Sequence, residues 1–295
     1  MKVLSLFDGM SCGQIALREL GVPIERYYAS EIDKHAIKQT QLNFPETIQL
    51  GDVEKWREWD IEWEEIDLLL AGSPCQGFSL AGAMRGLDDH RSRLFWVFDD
   101  IRQHLLSCNP DAKWLLENVR MKKDHEAVIN ETLQLKPVVI NSALVSAQNR
   151  VRLYWTNGSV CEGVTSVDLP KDRGVTICDV VGAGAIGIYQ RPRGYLKSRV
   201  VSPKCPSITI SSWQHNNLVA YADANTIAAQ ADLCGYPSLL DAGVLLRRLT
   251  PTECARLQTI PDWYKWGCSD TQAYKMLGNG WTVEVIKHIL SHIIK

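Results

Sequence analysis

The chain has no excess of positive charge: 32 Lys and Arg stand against 34 Asp and Glu, a net of -2. Taken globally, that balance lacks the basic footprint of a nucleic-acid partner. No window reaches the ~18 consecutive apolar residues of a membrane-spanning helix, so no membrane association is expected. The apolar run after Met1 is short and is broken by Asp8, unlike a secretory signal. There are nine cysteines but no CxxC pair and no Cys/His spacing that would hold zinc, so no metal is expected. An odd, scattered set of this kind reads as reduced, mostly buried thiols in a cytoplasmic protein. Internal repeats and low-complexity tracts are also missing. What remains, with 45% apolar and 22% charged residues over 295 positions, is an ordinary globular chain of about two folded lumps. A chain of this length buries its core without disulfides or metal.

Up to about residue 156, short apolar runs alternate with amphipathic ones. Strands are expected at Val3 to Phe7, Arg26 to Ser30, Ile66 to Ala71, Lys113 to Glu117, Pro137 to Val145 and Arg152 to Thr156. Helices are expected at Ser11 to Leu20, Lys34 to Leu42, Leu94 to Leu106 and Asp124 to Leu133. Such alternation predicts an α/β fold with a doubly wound, mostly parallel sheet. From Asn157 to Leu246, Gly, Pro, Ser and Thr become frequent and helical periodicity fades, the texture of a smaller loop-rich module. Helical pattern returns with Thr250-Pro251 through Leu257 and again from Val283 to Ile294. Charge is uneven along this layout. Glu46 to Asp67 holds nine acids and two bases, read as a solvated face or a linker helix. The stretch 180–222 holds no acid but carries Arg191, Arg193, Lys197, Arg199 and Lys204.

The turn Asp8-Gly9-Met10-Ser11-Cys12-Gly13 follows the first strand and opens the first helix. Ligands bind at such strand ends in doubly wound sheets, and glycines let them approach the backbone. Glu31, at the end of the second strand about 20 residues on, can accept from both ribose hydroxyls. Asp52, in Gly51-Asp52-Val53, is placed to receive an adenine amino group. No GK[ST] follows the glycines and the turn departs from GxGxxG, so adenosine is favoured over a nucleoside triphosphate or a nicotinamide dinucleotide. Cys75 lies in Gly72-Ser73-Pro74-Cys75-Gln76 just past the IDLLLAG strand, where a thiol can be exposed and activated. Glu117 should emerge at the same edge from the next strand. Gln148, Arg150 and Arg152 alternate and so are expected to point one way. A thiol, a carboxylate and an arginine beside an adenosine pocket predict an enzyme.

The order FDGMSCG, SEID, GDV, GSPCQGFS, ENV, QNRVR, a variable region, then RRLTPTECARLQTIPDWY and LGNGWTVEVI resembles the DNA (cytosine-5) methyltransferase family. The resemblance covers nearly the whole chain outside the variable region. The FDGMSCG and GNGWTV blocks look nearest to the animal de novo enzymes. The chain has none of their chromatin-reading domains, however, which suggests a bacterial or phage-encoded member. It implies a Rossmann-like methyltransferase sheet formed by 1–156 and 247–295, with the C-terminal segment folded back, and a target-recognition domain at 157–246.

The implied activity is methyl transfer from S-adenosylmethionine to C5 of a flipped-out cytosine in a specific double-stranded DNA sequence. The Cys75 thiolate would attack C6, Glu117 would hold N3 and the exocyclic amino group, and Arg152, with Arg150, would serve the O2 side. Phe7 would stack on adenine, and Asn279 and Trp281 would close the methionine end. The implied cofactor set also takes in Asp8, Gly9, Met10, Ser11, Gly13, Ile32, Val53, Ser73 and Pro74. Gln76 would fill the hole left by the flipped base, while Ser79, Arg91 and Gln148 would contact DNA. In the variable module Arg191, Arg193, Lys197, Arg199 and Thr209 are the expected base or phosphate contacts. A cytoplasmic monomer is expected, with a cognate restriction endonuclease as a partner in a restriction-modification pair. The alternatives are a transfer-RNA methyltransferase of the same family, a catalytically silent DNA-binding accessory subunit, and a nicotinamide-dependent oxidoreductase. Transfer of another S-adenosylmethionine-derived carbon group also stays open.

Overall fold

The computed structural model describes residues 1–73, 93–182, 184–190, 199–209, 217–221 and 245–294. In chain order the elements are β1 (Lys2–Leu6), α1 (Cys12–Glu19), β2 (Arg26–Ser30), α2 (Lys34–Asn43), β3 (Ile48–Gln49), β4 (Leu68–Ala71), α3 (Arg93–Cys108), β5 (Lys113–Val119), α4 (Lys123–Leu133), β6 (Val138–Asn141), β7 (Gln148–Asn149), β8 (Val151–Thr156), β9 (Val160–Cys161), β10 (Val164–Thr165), α5 (Ile177–Val181), β11 (Ala185–Gln190), β12 (Arg199–Val201), β13 (Cys205–Pro206), β14 (Leu218–Tyr221), β15 (Leu245–Arg248), α6 (Pro251–Leu257), α7 (Asp270–Asn279) and α8 (Val283–Ile293). Contacts divide them into two compact units. The first comprises Met1–Ile140, Val151–Leu169 and Val283–Lys295, and the second Asn141–Arg150 and Pro170–Thr282.

The first unit holds a seven-stranded sheet of order β3-β2-β1-β4-β5-β8-β6. The strands from β3 to β5 are parallel and β8 runs antiparallel to β5. The reason lies in the strand sequences. Every residue of KVLSL and LLLA is buried, as strands covered on both faces require. Helix α3 supplies Phe95, Phe98, Ile101 and Leu105, one stripe at helical spacing, to a core that includes Trp114, Leu116 and Trp155. Helix α8 buries Val285, Ile286, Ile289, Leu290 and Ile293 and packs against α1. After β1 the strand order runs one way to β2 and β3, and then the other way to β4 and β5. The carboxyl end of β1 is therefore a topological switch point, where ligands enter such sheets.

The apolar stretch expected as one strand from Pro137 to Val145 is shorter. Strand β6 stops at Asn141, whose side chain accepts from the Ala143 N–H at 3.0 Å and caps a 3-10 turn over Ser142–Leu144.

The second unit is built on an antiparallel sheet, β12-β11-β14-β15, with β7 paired to β13 in parallel. Helix α6 begins with a capping box, Thr250 against Glu253, behind Pro251. The expected division at 156/157 and 246/247 is not the one the compact units follow. A boundary after Leu246 would cut β15, whose register pairs Leu245 to Arg248 with β14. Helices α6 and α7 stay with the second unit, and residues 151–169 stay with the sheet.

Candidate functional site

At the end of β1 the backbone turns through three left-handed residues in five, Phe7 (φ 58°), Gly9 (φ 59°) and Ser11 (φ 66°). Two of the three carry side chains, so the surroundings must hold this turn. Glu31 does much of that. Its Oε2 accepts from the Gly9 N–H at 2.8 Å, and its Oε1 accepts from the N–H groups of Ile32 and Asp33, each at 2.8 Å. A carboxylate fixed by three backbone donors keeps acceptor capacity for further hydroxyls in a defined place. Asp52 ends the next strand's loop and caps a 3-10 segment, accepting from the Glu54 N–H at 3.0 Å. Phe7 is partly buried against the sheet core, and Ile32 stands 76% exposed beside Glu31.

Two polar contacts beneath this turn were not anticipated from sequence. The buried Tyr27 hydroxyl donates to Asp8 Oδ1 at 2.9 Å. Withdrawal from water, with Glu31 nearby, pushes the Asp8 carboxyl up to about 6, while the hydroxyls of Ser5, Ser11 and Tyr27 pull the other way. Gln14 Oε1 accepts from Thr47 Oγ1 at 2.9 Å and from Ser11 Oγ at 3.2 Å. Ser11 and Met10 are thus interior side chains, contributing backbone rather than side chain to the turn. A tyrosine at an inward position of a buried strand was the available signal.

A second group lies at the β4–β5–β8 edge. Asn118 Nδ2 donates to Ser73 Oγ at 3.2 Å, both residues being buried, and so ties the strand carrying Glu117 to the residue before Pro74. Arg152 Nε lies 2.9 Å from Glu117 Oε1 in an ion pair whose side chains are only 16% and 11% exposed. The structure brings these two expected residues together, and Asn118 had no expected role.

Gln148 and Arg150 belong to the second unit. They are 0% and 4% exposed. Gln148 donates to the Leu257 carbonyl at 3.1 Å, and Arg150 donates to the carbonyls of Ile208, Gly278 and Gly280. Both side chains thus bond backbone groups of their own unit. Asn279 and Thr209 are exposed in the same unit, and Trp281 is half-buried. Pro74, Cys75, Gln76, Ser79, Arg91, Arg191, Arg193, Lys197 and the side chain of Arg199 lie outside the described residues.

Among the described cysteines, Cys12, Cys205 and Cys254 are buried while Cys161 and Cys178 are exposed, so the thiols are less uniformly interior than expected. Burial pushes the Cys205 thiol up to about 12 and Cys254 well above its ordinary value, which makes both poor nucleophiles. Among the described residues no helix is long and apolar enough to cross a membrane.

The donor set fits an adenosine-bearing cation. The turn Phe7 to Gly13 holds a carboxylate and no Lys or Arg, so it opposes a diphosphate and suits a sulfonium. Comparison with known proteins agrees. The family described as C-5 cytosine-specific DNA methylase matches residues 1–156 and 204–295. Type II methyltransferase M.NlaX of Neisseria lactamica is 31% identical, over 98% of this chain and 94% of its own length. Type II methyltransferase M.HpaII of Haemophilus parainfluenzae is 28% identical, over 96% and 86%. Among solved structures, a DNMT2 mutant of Spodoptera frugiperda superposes with a TM-score of 0.69 at 20% identity, covering 100% of this chain and 99% of its own. The Entamoeba histolytica methyltransferase EhMeth superposes at 0.71 with 14% identity, covering 99% and 97%. These two superpositions establish the fold.

Proposed function

Because the chain belongs to the C-5 cytosine-specific DNA methylase family, it is a DNA (cytosine-5-)-methyltransferase using S-adenosylmethionine, and we propose that it acts on one flipped-out cytosine within a specific double-stranded sequence through a covalent Cys75–C6 bond. The observation that carries the site assignment is the Glu117–Arg152 ion pair at 2.9 Å, on neighbouring strands of the sheet whose β1 end carries the pinned Glu31 turn.

In this reading Phe7 stacks on adenine with Ile32 at its rim, Glu31 holds the ribose and Asp52 the adenine amine. Asn279 and Trp281 serve the methionine end. S-adenosylmethionine supplies the methyl group. Cytosine C5 is a weak nucleophile, so the Cys75 sulfur adds to C6, breaking the ring's aromaticity and moving electron density toward C5. Glu117 steadies N3 and the exocyclic amine and Arg152 the O2 side, so charge on the ring meets placed partners. After C5 is methylated, loss of its proton expels the Cys75 sulfur and restores the ring.

Target recognition falls to 157–246, with Arg191, Arg193, Lys197, Arg199 and Thr209 meeting DNA, Ser79 and Arg91 contacting it as well, and Gln76 filling the place of the flipped base. A monomer paired genetically with a cognate endonuclease, as in bacterial restriction-modification, fits the type II relatives. The nearness of its FDGMSCG and GNGWTV blocks to animal de novo enzymes belongs to the same reading.

The test is expression in a methylation-free host followed by bisulfite sequencing; DNA without 5-methylcytosine at any motif would sink the reading. Duplex DNA carrying 5-fluorocytosine at the mapped site should trap a covalent complex with wild type and none with Cys75→Ser. A trapped complex in the variant would remove Cys75 from the role.

A further inference from the structure

Gln148 and Arg150 stand two residues apart at β7, and the mechanism above uses neither. Between them they take both polar groups of one peptide residue. Gln148 Oε1 accepts from the Ile208 N–H at 2.7 Å, and Arg150 Nη1 donates to the Ile208 carbonyl at 2.8 Å. The next residue, Thr209, is exposed. The other arm of the same guanidinium, Nη2, donates to the carbonyls of Gly278 at 3.2 Å and Gly280 at 2.9 Å. Those two glycines flank Asn279, which is also exposed.

The buried Gln258 reinforces this end. It donates to the Leu277 carbonyl at 2.7 Å and accepts from Thr282 Oγ1 at 2.9 Å. Ser142 Oγ, in turn, donates to Thr282 Oγ1 at 2.8 Å.

We propose that Arg150 is a positioning residue that locks the Ile208–Thr209 segment to the Gly278–Gly280 segment, so that occupancy of DNA at Thr209 and of cofactor at Asn279 is thermodynamically linked. The inference rests on the functional reading above, which gives Thr209 and Asn279 those ligands. A guanidinium suits the task because its planar fork presents donors in fixed directions to separate acceptors, which a lysine ammonium on a flexible stem does not reproduce. Inside the protein these bonds leave neither segment free to shift alone, since a shift would strand a buried carbonyl. A ligand that orders one segment therefore lowers the cost of ordering the other. Linkage also makes the effect reciprocal: DNA tightens cofactor binding by the same factor that cofactor tightens DNA binding.

The experiment measures the dissociation constant of S-adenosylhomocysteine with and without a duplex carrying the motif mapped by bisulfite sequencing. In wild type, DNA should tighten it on the order of tenfold. In Arg150→Lys that factor should collapse toward one, while affinity without DNA stays within about threefold of wild type. A merely structural arginine would lower thermal stability and leave the ratio intact. If Arg150→Lys does not fold, Gln148→Met keeps the Arg150 fork and gives up the Gln148 bonds to the Ile208 N–H, the Leu257 carbonyl and Gln258 Oε1, and the factor should fall at least about threefold. A variant that keeps the wild-type ratio, or a wild type whose ratio is one, overturns the proposal while leaving the methylation reading standing. Failure of wild type to methylate duplex DNA at all would overturn that reading, and this inference with it.

Discussion

Arg152 meets Glu117 along a diagonal of the antiparallel β5–β8 ladder: Val119 stands opposite Arg152, Glu117 stands opposite Tyr154, and the two charges share one face at 2.9 Å. Removing either partner takes the ion-pair contact from a charge that is largely out of water, a costly change. Glu117→Gln and Arg152→Gln should each lose about 1–3 kcal/mol of stability, with the double variant losing clearly less than the sum. Each should also lower kcat by about 100-fold or more. Urea unfolding and single-turnover methylation would measure the two effects. Strict additivity would show that the pair is not coupled, and unchanged kcat would remove both residues from the chemistry.

Glu31 is the anchor of the cofactor turn, and one oxygen is bonded to Gly9. Glu31→Gln puts an amide donor where an acceptor is required and removes the charge that strengthens these bonds. S-adenosylhomocysteine should bind about 10- to 100-fold more weakly, matching the ~1.5–3 kcal/mol of a charge-assisted bond. Titration calorimetry is the measurement. Equal affinity in variant and wild type would take Glu31 out of the site.

The Asp8 carboxyl, at about 6 instead of 3.8, holds its proton more tightly folded than unfolded. Its contribution therefore favours the fold fully below about pH 3.8 and is lost as pH rises through about 6. The shift corresponds to about 3 kcal/mol. Asp8→Asn keeps an acceptor for the Tyr27 hydroxyl and cannot ionise. The stability difference, variant minus wild type, should grow more positive between pH 5 and pH 7, as read by denaturant midpoints. A difference flat across that window would mean that Asp8 titrates normally.

Gly158 has no room for a side chain: a Cβ there would sit 2.3 Å from Ile293 Cβ. Gly158→Ala should destabilise by about 1–3 kcal/mol through forced repacking of the end of α8. An unchanged urea midpoint would show that Ile293 yields at no cost.

The parallel sheet was legible because β1 and β4, at its centre, are buried along their whole length and β4 reads as an unbroken apolar run. The positions of Phe7, Glu31 and Asp52 just past β1, β2 and β3 were legible because each follows a strand-like run. Alternation at Gln148, Arg150 and Arg152 was misleading for a physical reason. Period two states which side chains share a side, not what covers that side. Here the chain passes between compact units after Arg150, so the first two side chains are buried in one unit and Arg152 meets Glu117 in the other. Likewise the apolar run through Val145 concealed Asn141, whose own side chain ends the strand. The Asp8–Tyr27 contact joins two residues 19 apart, so the inward tyrosine is visible locally but its partner is not.

The chain crosses between the two compact units four times, at 140/141, 150/151, 169/170 and 282/283. The second compact unit is therefore not contiguous in sequence. A chimera that grafts 170–282 from a relative but leaves 141–150 behind would offer the incoming counterpart of Ile208 a foreign Gln148 and Arg150. The second unit is two segments of chain, and a graft that keeps the bonds to Ile208 carries the ten-residue one along with the other.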